Sequence, residues 1–124
     1  MTVVALAAAG AVGALARFLV DRAVERRTRS ILPIGTFVVN AAGSLMLGIV
    51  VGLVPGDLAA QPAALIVGVG FCGAFTTFST FAVETLRLSE DDSARHGAAY
   101  ALGSVAVGLA AAAVGLIIGS ALSG

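Results

Sequence analysis

Four long apolar stretches, separated by short polar segments, dominate the pattern of residues along this chain. The stretches cover residues 3–20, 35–54, 63–82 and 98–122. A helix that crosses the roughly 30 Å hydrocarbon core of a bilayer needs about 20 mostly apolar residues, because each residue advances about 1.5 Å. Open strands would leave their edge groups unpaired in lipid, whereas a helix satisfies its own backbone. The pattern therefore predicts an all-α membrane protein with four transmembrane helices.

The segments between these stretches are too short to fold as a soluble domain. Residues 21–33 and 83–97 hold most of the charged side chains, and residues 55–62 contain two prolines and a glycine, which indicates a tight turn. We therefore expect a single four-helix transmembrane domain over residues 1–124. No basic residue precedes the first apolar stretch, and this stretch is longer than the apolar region of a usual signal peptide, so we expect it to be retained.

Composition narrows the class of protein further. Hydrophobic residues make up 59% of the chain and charged residues 11%, against about 25% charged residues in a typical soluble domain. The net charge is zero, with seven Arg and no Lys, so we expect no nucleic-acid partner. One Cys cannot form an internal disulfide or a thiolate metal cluster. No Ser–His–Asp set, metal-ligand cluster or phosphate-binding loop is present in the sequence, which predicts that the protein is not an enzyme.

Small and polar residues recur every four positions in the second stretch and share one face of the predicted helix: Thr36, Asn40, Ser44, Gly48 and Gly52. An Asn at membrane depth is costly unless it finds a partner or lines a wet cavity. Two interpretations follow, an interhelical hydrogen bond or an amide that lines a pore. The spacing alone favours neither.

The third stretch has the most unusual composition. Residues 70–81 contain four of the six Phe in the chain, interleaved with four hydroxyl residues, Thr76, Thr77, Ser79 and Thr80. Such a sequence disfavours a continuous helix. Broken helices occur in membranes where the freed backbone groups meet an ion or a cavity. We therefore predict a break in the third helix at a functional site; the alternative is that the hydroxyls bond their own helix while the Phe side chains face lipid.

Polar residues elsewhere are few. Tyr100 and Ser104 share a face of the fourth predicted helix, although Tyr100 also suits an aromatic belt at the membrane interface. Arg17 is expected either to snorkel to the interface or to line a vestibule. Glu84 is expected to be an ordinary interfacial carboxylate, and His96 a solvated side chain.

Three segments of the chain resemble the signatures of the Fluc (CrcB) family of fluoride channels. They are Gly-Ala-Leu-Ala-Arg-Phe at 13–18, Gly-Thr-Phe-Val-Val-Asn-Ala-Ala-Gly-Ser at 35–44 and Gly-Ala-Phe-Thr-Thr-Phe-Ser-Thr-Phe at 73–81. The resemblance implies a passive, fluoride-selective channel in the cell membrane that lowers toxic fluoride by letting it leave the cytoplasm. It also implies an antiparallel dimer with two pores.

The resemblance further implies roles for individual residues. The backbone carbonyls of Gly73 and Thr76 would bind a structural sodium ion at the dimer centre, and the rings of Phe78 and Phe81 would flank the permeating anion. Asn40 would supply the amide of the pore. The polar track would consist of Ser79 or Thr80 together with Tyr100 and Ser104. Arg17 would be a basic residue near the vestibule.

Two residues depart from the usual family pattern. Ala74 stands where a second Gly is common, which places a methyl group close to the predicted break. Gly108 stands where a further hydroxyl of the polar track often occurs, so water would have to supply that position.

The arginines predict one orientation in the membrane. The face with residues 21–33 and 83–97 carries six Arg, whereas the face with residues 55–62 and both termini carries none. The positive-inside rule then places the termini outside. Because subunits that all insert the same way cannot form an antiparallel dimer, we predict a second, homologous subunit of opposite orientation. The alternative is a homodimer whose assembly overrides the charge bias.

Two other classes of protein are less compatible with the sequence. A small multidrug exporter driven by protons would need a carboxylate within the first stretch, where the one charged residue is Arg17. A purely structural membrane subunit would not need the cluster of Phe and hydroxyl residues in the third stretch.

Overall fold

The computed structural model describes residues 1–29 and 32–124, and every regular element in this part of the chain is helical. The elements are α1 (Thr2–Thr28), α2 (Ile34–Leu53), a 3₁₀ turn (Leu58–Ala60), α3 (Pro62–Leu65), a π-helix (Ile66–Cys72), α4 (Gly73–Phe75), α5 (Phe78–Asp91) and α6 (Ala94–Ser123). Four helical stretches are long and apolar enough to cross a membrane: Thr2–Thr28, Ile34–Leu53, Pro62–Asp91 and Ala94–Ser123. The predicted all-helical class and the four spans are confirmed.

The helices extend beyond the apolar stretches that predicted them. Helix α1 continues to Thr28, and only Asp92 and Ser93 separate α5 from α6. Most of the predicted links at 21–33 and 83–97 is therefore helical, because Arg, Glu and Ala favour helix as strongly as apolar residues do. The Ser93 hydroxyl accepts a hydrogen bond from the backbone N–H of His96 (3.1 Å), and the exposed His96 ring contacts the carboxylate of Asp92.

The link between α2 and α3 turns within a few residues. Gly56 has a φ of 94°, a left-handed conformation that glycine adopts without strain. The carboxylate of Asp57 accepts a hydrogen bond from the backbone N–H of Ala59 (2.9 Å) and so begins the 3₁₀ turn. Pro62 then stands at the first position of α3, where a missing N–H costs nothing.

Helices α2 and α6 pack together along a row of glycines. A Cβ atom on Gly48 would overlap the carbonyl oxygen of Ala112, and one on Gly115 would overlap the carbonyl oxygen of Leu45. Helices in lipid gain little from hiding Leu, and they associate through backbone contact at small residues. These glycines therefore fix α6 beside the polar face of α2.

Helix α1 packs in the same way on the π-helix. A Cβ on Gly13 would overlap the carbonyl oxygen of Phe71, and the neighbouring Cys72 is buried. Helix α1 therefore lies against the π-helix and also against α4, which follows it.

Candidate functional site

Two extended residues separate α4 from α5 within the third membrane-crossing stretch. Thr76 has φ −81° and ψ 159°, and Thr77 has φ −147° and ψ 122°. Both the backbone N–H and the hydroxyl of Thr76 donate to the carbonyl oxygen of Cys72, each at 3.0 Å. We refer to these residues as the extended pair Thr76–Thr77.

Helix α2 binds the extended pair through one side chain. The Nδ2 of Asn40 donates to the carbonyl oxygen of Thr77 (3.0 Å), and the Oδ1 of Asn40 accepts from the backbone N–H of Thr77 (2.8 Å). A Cβ on Gly43 would overlap the methyl group of Thr76, so glycine allows α2 to approach this closely. Asn40 therefore makes an interhelical contact, and one of its two Nδ2 hydrogens is left for another partner.

The side chain of Thr77 begins helix α5. Its Oγ1 accepts a hydrogen bond from the backbone N–H of Thr80 (3.2 Å) and also contacts the hydroxyls of Thr80 (3.2 Å) and Ser79 (3.4 Å). A threonine at this position satisfies an amide that has no partner inside the helix. Three of the four hydroxyl residues identified in the sequence thus form one small network.

The carbonyl oxygens of Gly73 and Thr76 are among those that this break in the helix leaves open. In a continuous helix the N–H of Thr77 would donate to the carbonyl of Gly73, and the N–H of Thr80 to that of Thr76. Here the two amides bind the side chains of Asn40 and Thr77 instead. Neither carbonyl oxygen accepts a hydrogen bond from any residue in 1–29 or 32–124. The two carbonyls named by the family resemblance are therefore free to bind another group.

Three aromatic rings follow one another beside the extended pair. The ring centroids of Phe78 and Phe81 lie 5.9 Å apart, and those of Phe81 and Tyr100 lie 5.7 Å apart. Phe78 is 80% exposed, whereas Tyr100 is 8% exposed and donates its hydroxyl to the carbonyl oxygen of Pro33 at 3.5 Å. Phe81 thus lies between an exposed ring and a buried one.

A groove of about 760 Å³ runs between α2, the π-helix, the start of α5 and α6. Its walls are mostly apolar, and Phe78, Phe81 and Gly73 all border it. Asn40 and Ser104 supply polar groups, and the Ser104 hydroxyl is buried without a hydrogen-bond partner in the described chain. An unpaired buried hydroxyl is costly unless water or an ion fills the groove, so this groove suits a polar occupant.

A second, smaller cavity of about 120 Å³ lies on the other side of Thr77. Arg17 and Thr80 line it together with Asp21 and Thr36. The Nε of Arg17 is buried and has no hydrogen-bond partner among the described residues. Arg17 therefore faces a cavity inside the protein, in contrast to a side chain that snorkels along lipid.

The structure thus distributes the predicted site residues over two cavities that meet at Thr77. One set borders the groove: Asn40, Gly73, Thr76, Phe78, Phe81 and Ser104. Arg17 and Thr80 border the smaller cavity. Ser79 and Tyr100 line neither cavity, although Ser79 contacts Thr77 and Tyr100 contacts Phe81.

Two further residues of this region were assigned no role at the site from the sequence. Thr77 received no role of its own, yet its backbone binds Asn40 and its side chain begins α5. Glu84, expected to be an ordinary interfacial carboxylate, has one buried oxygen with no partner in the described chain and interacts with the buried side chain of Thr36. The available signal was spacing, because Thr77, Thr80 and Glu84 recur at three and four residues along one face of α5.

Four helices able to cross a membrane, with a mostly apolar groove between them that a few polar side chains border, define a multi-pass membrane protein. Residues 4–116 match the family described as CrcB-like protein, Camphor Resistance (CrcB). The chain belongs to this family.

Curated relatives align with nearly the whole chain. It is 45% identical over 118 residues to "Fluoride-specific ion channel FluC 1" of Streptomyces avermitilis, which covers 94% of this chain and 95% of that protein. It is 45% identical over 122 residues to FluC 2 of Natronomonas pharaonis, covering 98% and 97%. It is 48% identical over 107 residues to FluC 2 of Mycobacterium tuberculosis, covering 86% and 81%.

Proposed function

We propose that this chain is a subunit of a fluoride-selective channel, not an enzyme, that lets fluoride leave the cell passively. The observation that carries the proposal is the groove beside the extended pair Thr76–Thr77, in a chain 41–48% identical to proteins named fluoride-specific ion channels. Two phenylalanines and the unpaired hydroxyl of Ser104 border this groove, and no charged side chain among the described residues that line it would hold an anion too tightly.

The chemistry of the groove suits a small anion. An aromatic ring is electropositive at its edge, so Phe78 and Phe81 offer C–H groups to fluoride. Each such contact is weak, which allows the ion to leave as well as to enter. The hydroxyl of Ser104 and the remaining Nδ2 hydrogen of Asn40 replace part of the hydration shell. Fluoride is the most compact halide and the strongest acceptor, so these donors favour it over chloride in a narrow passage.

Arg17 acts at the other cavity. Its guanidinium is the one basic group among the described residues that line this cavity, beside the carboxylate of Asp21, and its unpaired Nε–H can donate to an anion there. The cavity meets the groove at Thr77, so an anion attracted by Arg17 lies close to the start of the aromatic path. Thr80 adds a hydroxyl to the wall of the cavity at Arg17, and Tyr100 extends the row of aromatic rings from Phe81.

A second subunit is needed to complete the path. The groove is open along one side, and Phe78 at its edge is 80% exposed. Asn40 and Ser104 would therefore lie against lipid tails in a single chain, at a considerable cost in free energy. An antiparallel partner that covers this side would enclose the groove between two protein walls.

The partner in this proposal is a homologous subunit of opposite orientation, because six Arg lie at one membrane face and none at the other. The test is expression of this chain alone and together with a homologue whose charge bias is reversed. Fluoride flux that requires both chains supports this arrangement, whereas equal flux from the sole chain shows that it forms a homodimer.

The free carbonyl oxygens of Gly73 and Thr76 suit a structural sodium ion, because a hard cation prefers neutral or anionic oxygen. Bound sodium would supply the positive charge that offsets the two unpaired carbonyl dipoles. Ala74 does not obstruct this role, since its methyl group points toward Gly10 of α1. The departure from the family pattern at residue 74 is therefore accommodated by the packing of α1.

Fluoride efflux from proteoliposomes tests the proposed function. The vesicles are loaded with potassium fluoride and given a potassium ionophore, without a proton gradient. A channel releases fluoride within seconds, while a proton-coupled exporter or a structural subunit does not. Absence of fluoride release, both from the sole chain and from the chain with its homologue, would overturn the proposal.

A further inference from the structure

Helix α1 is longer than the hydrocarbon core that it crosses. Its 27 residues span about 40 Å, against roughly 30 Å for the core of a bilayer. The apolar part ends at Val20, and the remaining two turns contain most of the charged residues of this helix. These two turns lie at the level of the phospholipid headgroups.

The charges on these two turns are segregated by sign. The acidic side chains face the protein: Glu25 accepts a hydrogen bond from the backbone N–H of Gly35 (3.3 Å), and Asp21 lies against the same glycine. Arg22 and Arg26 are exposed. Within residues 1–29 and 32–124 neither arginine forms an ion pair with a carboxylate.

The exposed arginines continue an exposed apolar surface of α1, whose residue Phe18 also borders the cavity at Arg17. Leu15, Phe18, Arg22 and Arg26 recur at three- and four-residue spacing and so share one face of the helix. Leu15 and Phe18 are 59% and 58% exposed, and the guanidinium of Arg22 lies 5.7 Å from the centroid of the Phe18 ring. A lipid whose acyl chains cover Leu15 and Phe18 would therefore bring its headgroup to Arg22 and Arg26.

We propose that Arg22 and Arg26 form a binding surface for the headgroup of an anionic phospholipid. One guanidinium group can bind two phosphate oxygens at once. Two arginines without ion-pair partners also favour a headgroup with net negative charge over a zwitterionic one. The surface belongs to α1 alone and does not depend on the ion that the groove conducts.

Fluorescence quenching by brominated lipids tests this proposal on the full chain. The chain has no Trp, so Phe18→Trp introduces a single reporter at an exposed position next to Arg22. The protein is reconstituted in mixed phosphatidylcholine and phosphatidylglycerol vesicles in which one or the other lipid is brominated. We expect the reporter to show a preference for phosphatidylglycerol of about fivefold or more, the effect of one arginine near an anionic surface.

Arg27 provides the matched control, because it lies in the same turn but outside the row from Leu15 to Arg26. In the reporter chain, Arg22→Gln with Arg26→Gln should abolish the preference for phosphatidylglycerol, and Arg27→Gln should leave it unchanged. Equal loss in the Arg27→Gln chain would assign the effect to net charge and overturn the proposal.

The Phe18→Trp reporter chain with all of its arginines retained supplies a test that does not depend on whether the arginine variants fold. Its preference should fall toward onefold in about 1 M salt, where the Debye length is about 3 Å. Equal quenching by the two brominated lipids at low salt would overturn the proposal directly.

Discussion

The side-chain amide of Asn40 binds both backbone groups of Thr77, with hydrogen bonds of 2.8 and 3.0 Å. The two residues are 37 positions apart, and they join α2 to the point at which the third membrane-crossing stretch leaves the helical conformation. Asn40 therefore positions the extended pair Thr76–Thr77 and also borders the groove. Phe78, which follows Thr77 directly, is the first residue of α5 and lies at the edge of this groove.

Substitutions of Asn40 test its contact with Thr77. Asn40→Asp loses the donor to the Thr77 carbonyl and places a negative charge beside the anion, and Asn40→Ser loses the contact without adding charge. We expect fluoride flux to fall about tenfold or more in both variants, because each loses at least one buried hydrogen bond at the extended pair. The measurement is the initial rate of fluoride efflux per amount of reconstituted protein. Normal flux in Asn40→Ser would show that the contact with Thr77 is dispensable.

The aromatic rings of the groove can be tested by substitutions that keep an apolar side chain at each position. Phe78→Ile and Phe81→Ile remove the electropositive ring edge while retaining an apolar side chain of comparable bulk. We expect fluoride flux to fall at least about tenfold in each variant, with an unchanged elution volume in size-exclusion chromatography.

Phe71→Ile is the matched control, since Phe71 stacks on Phe75 and lies outside the groove. Its flux should be that of the unsubstituted chain. Equal flux in all three variants would remove the ring edges from the ion path.

Gly108 and Gly115 of α6 should respond differently to substitution by Ser: the first should tolerate it and the second should not. A Cβ on Gly108 would meet only the hydroxyl of Ser44, at 3.6 Å, whereas a Cβ on Gly115 would overlap the carbonyl oxygen of Leu45. Gly108→Ser should therefore assemble normally and keep its flux, since Ser44 already presents a hydroxyl at this level. Gly115→Ser should lose about 1–3 kcal/mol of stability through overpacking. Thermal unfolding in detergent measures the stability of both variants. Equal unfolding temperatures would contradict the packing of α2 on α6.

Removal of sodium tests the role proposed for the carbonyls of Gly73 and Thr76. Exchange of sodium for a large organic cation should inactivate the channel slowly, because two unpaired carbonyl dipoles then remain at the extended pair. Fluoride flux is followed over hours after the exchange, with sodium added back as the control. Lasting activity without sodium would show that these carbonyls do not form the site.

The four spans could be predicted from sequence because lipid imposes a length and an apolar composition on each crossing helix. The ends of the helices could not, since charged residues such as those after Val20 continue a helix as readily as they form a link. The π-helix at Ile66–Cys72 also left no distinct pattern of residue types.

The contacts of the candidate site were predictable only in part. The abundance of Phe and hydroxyl residues at 70–81 indicated the region of the site, and the amide of Asn40 was recognised as needing a partner. That the partner is the backbone of Thr77 depends on how α2 packs, which rests on the close approach at Gly43. Local sequence carries no record of such a contact.

Selective anion efflux is the most direct test of the account. Vesicles containing this chain together with a homologue of reversed charge bias are loaded with equal fluoride and chloride, and ion-selective electrodes record both after a potassium ionophore is added. We expect rapid release of fluoride with chloride retained, and loss of that release when both chains carry Ile in place of the groove phenylalanines. Release of both halides at comparable rates, or of neither, would contradict a fluoride-selective channel.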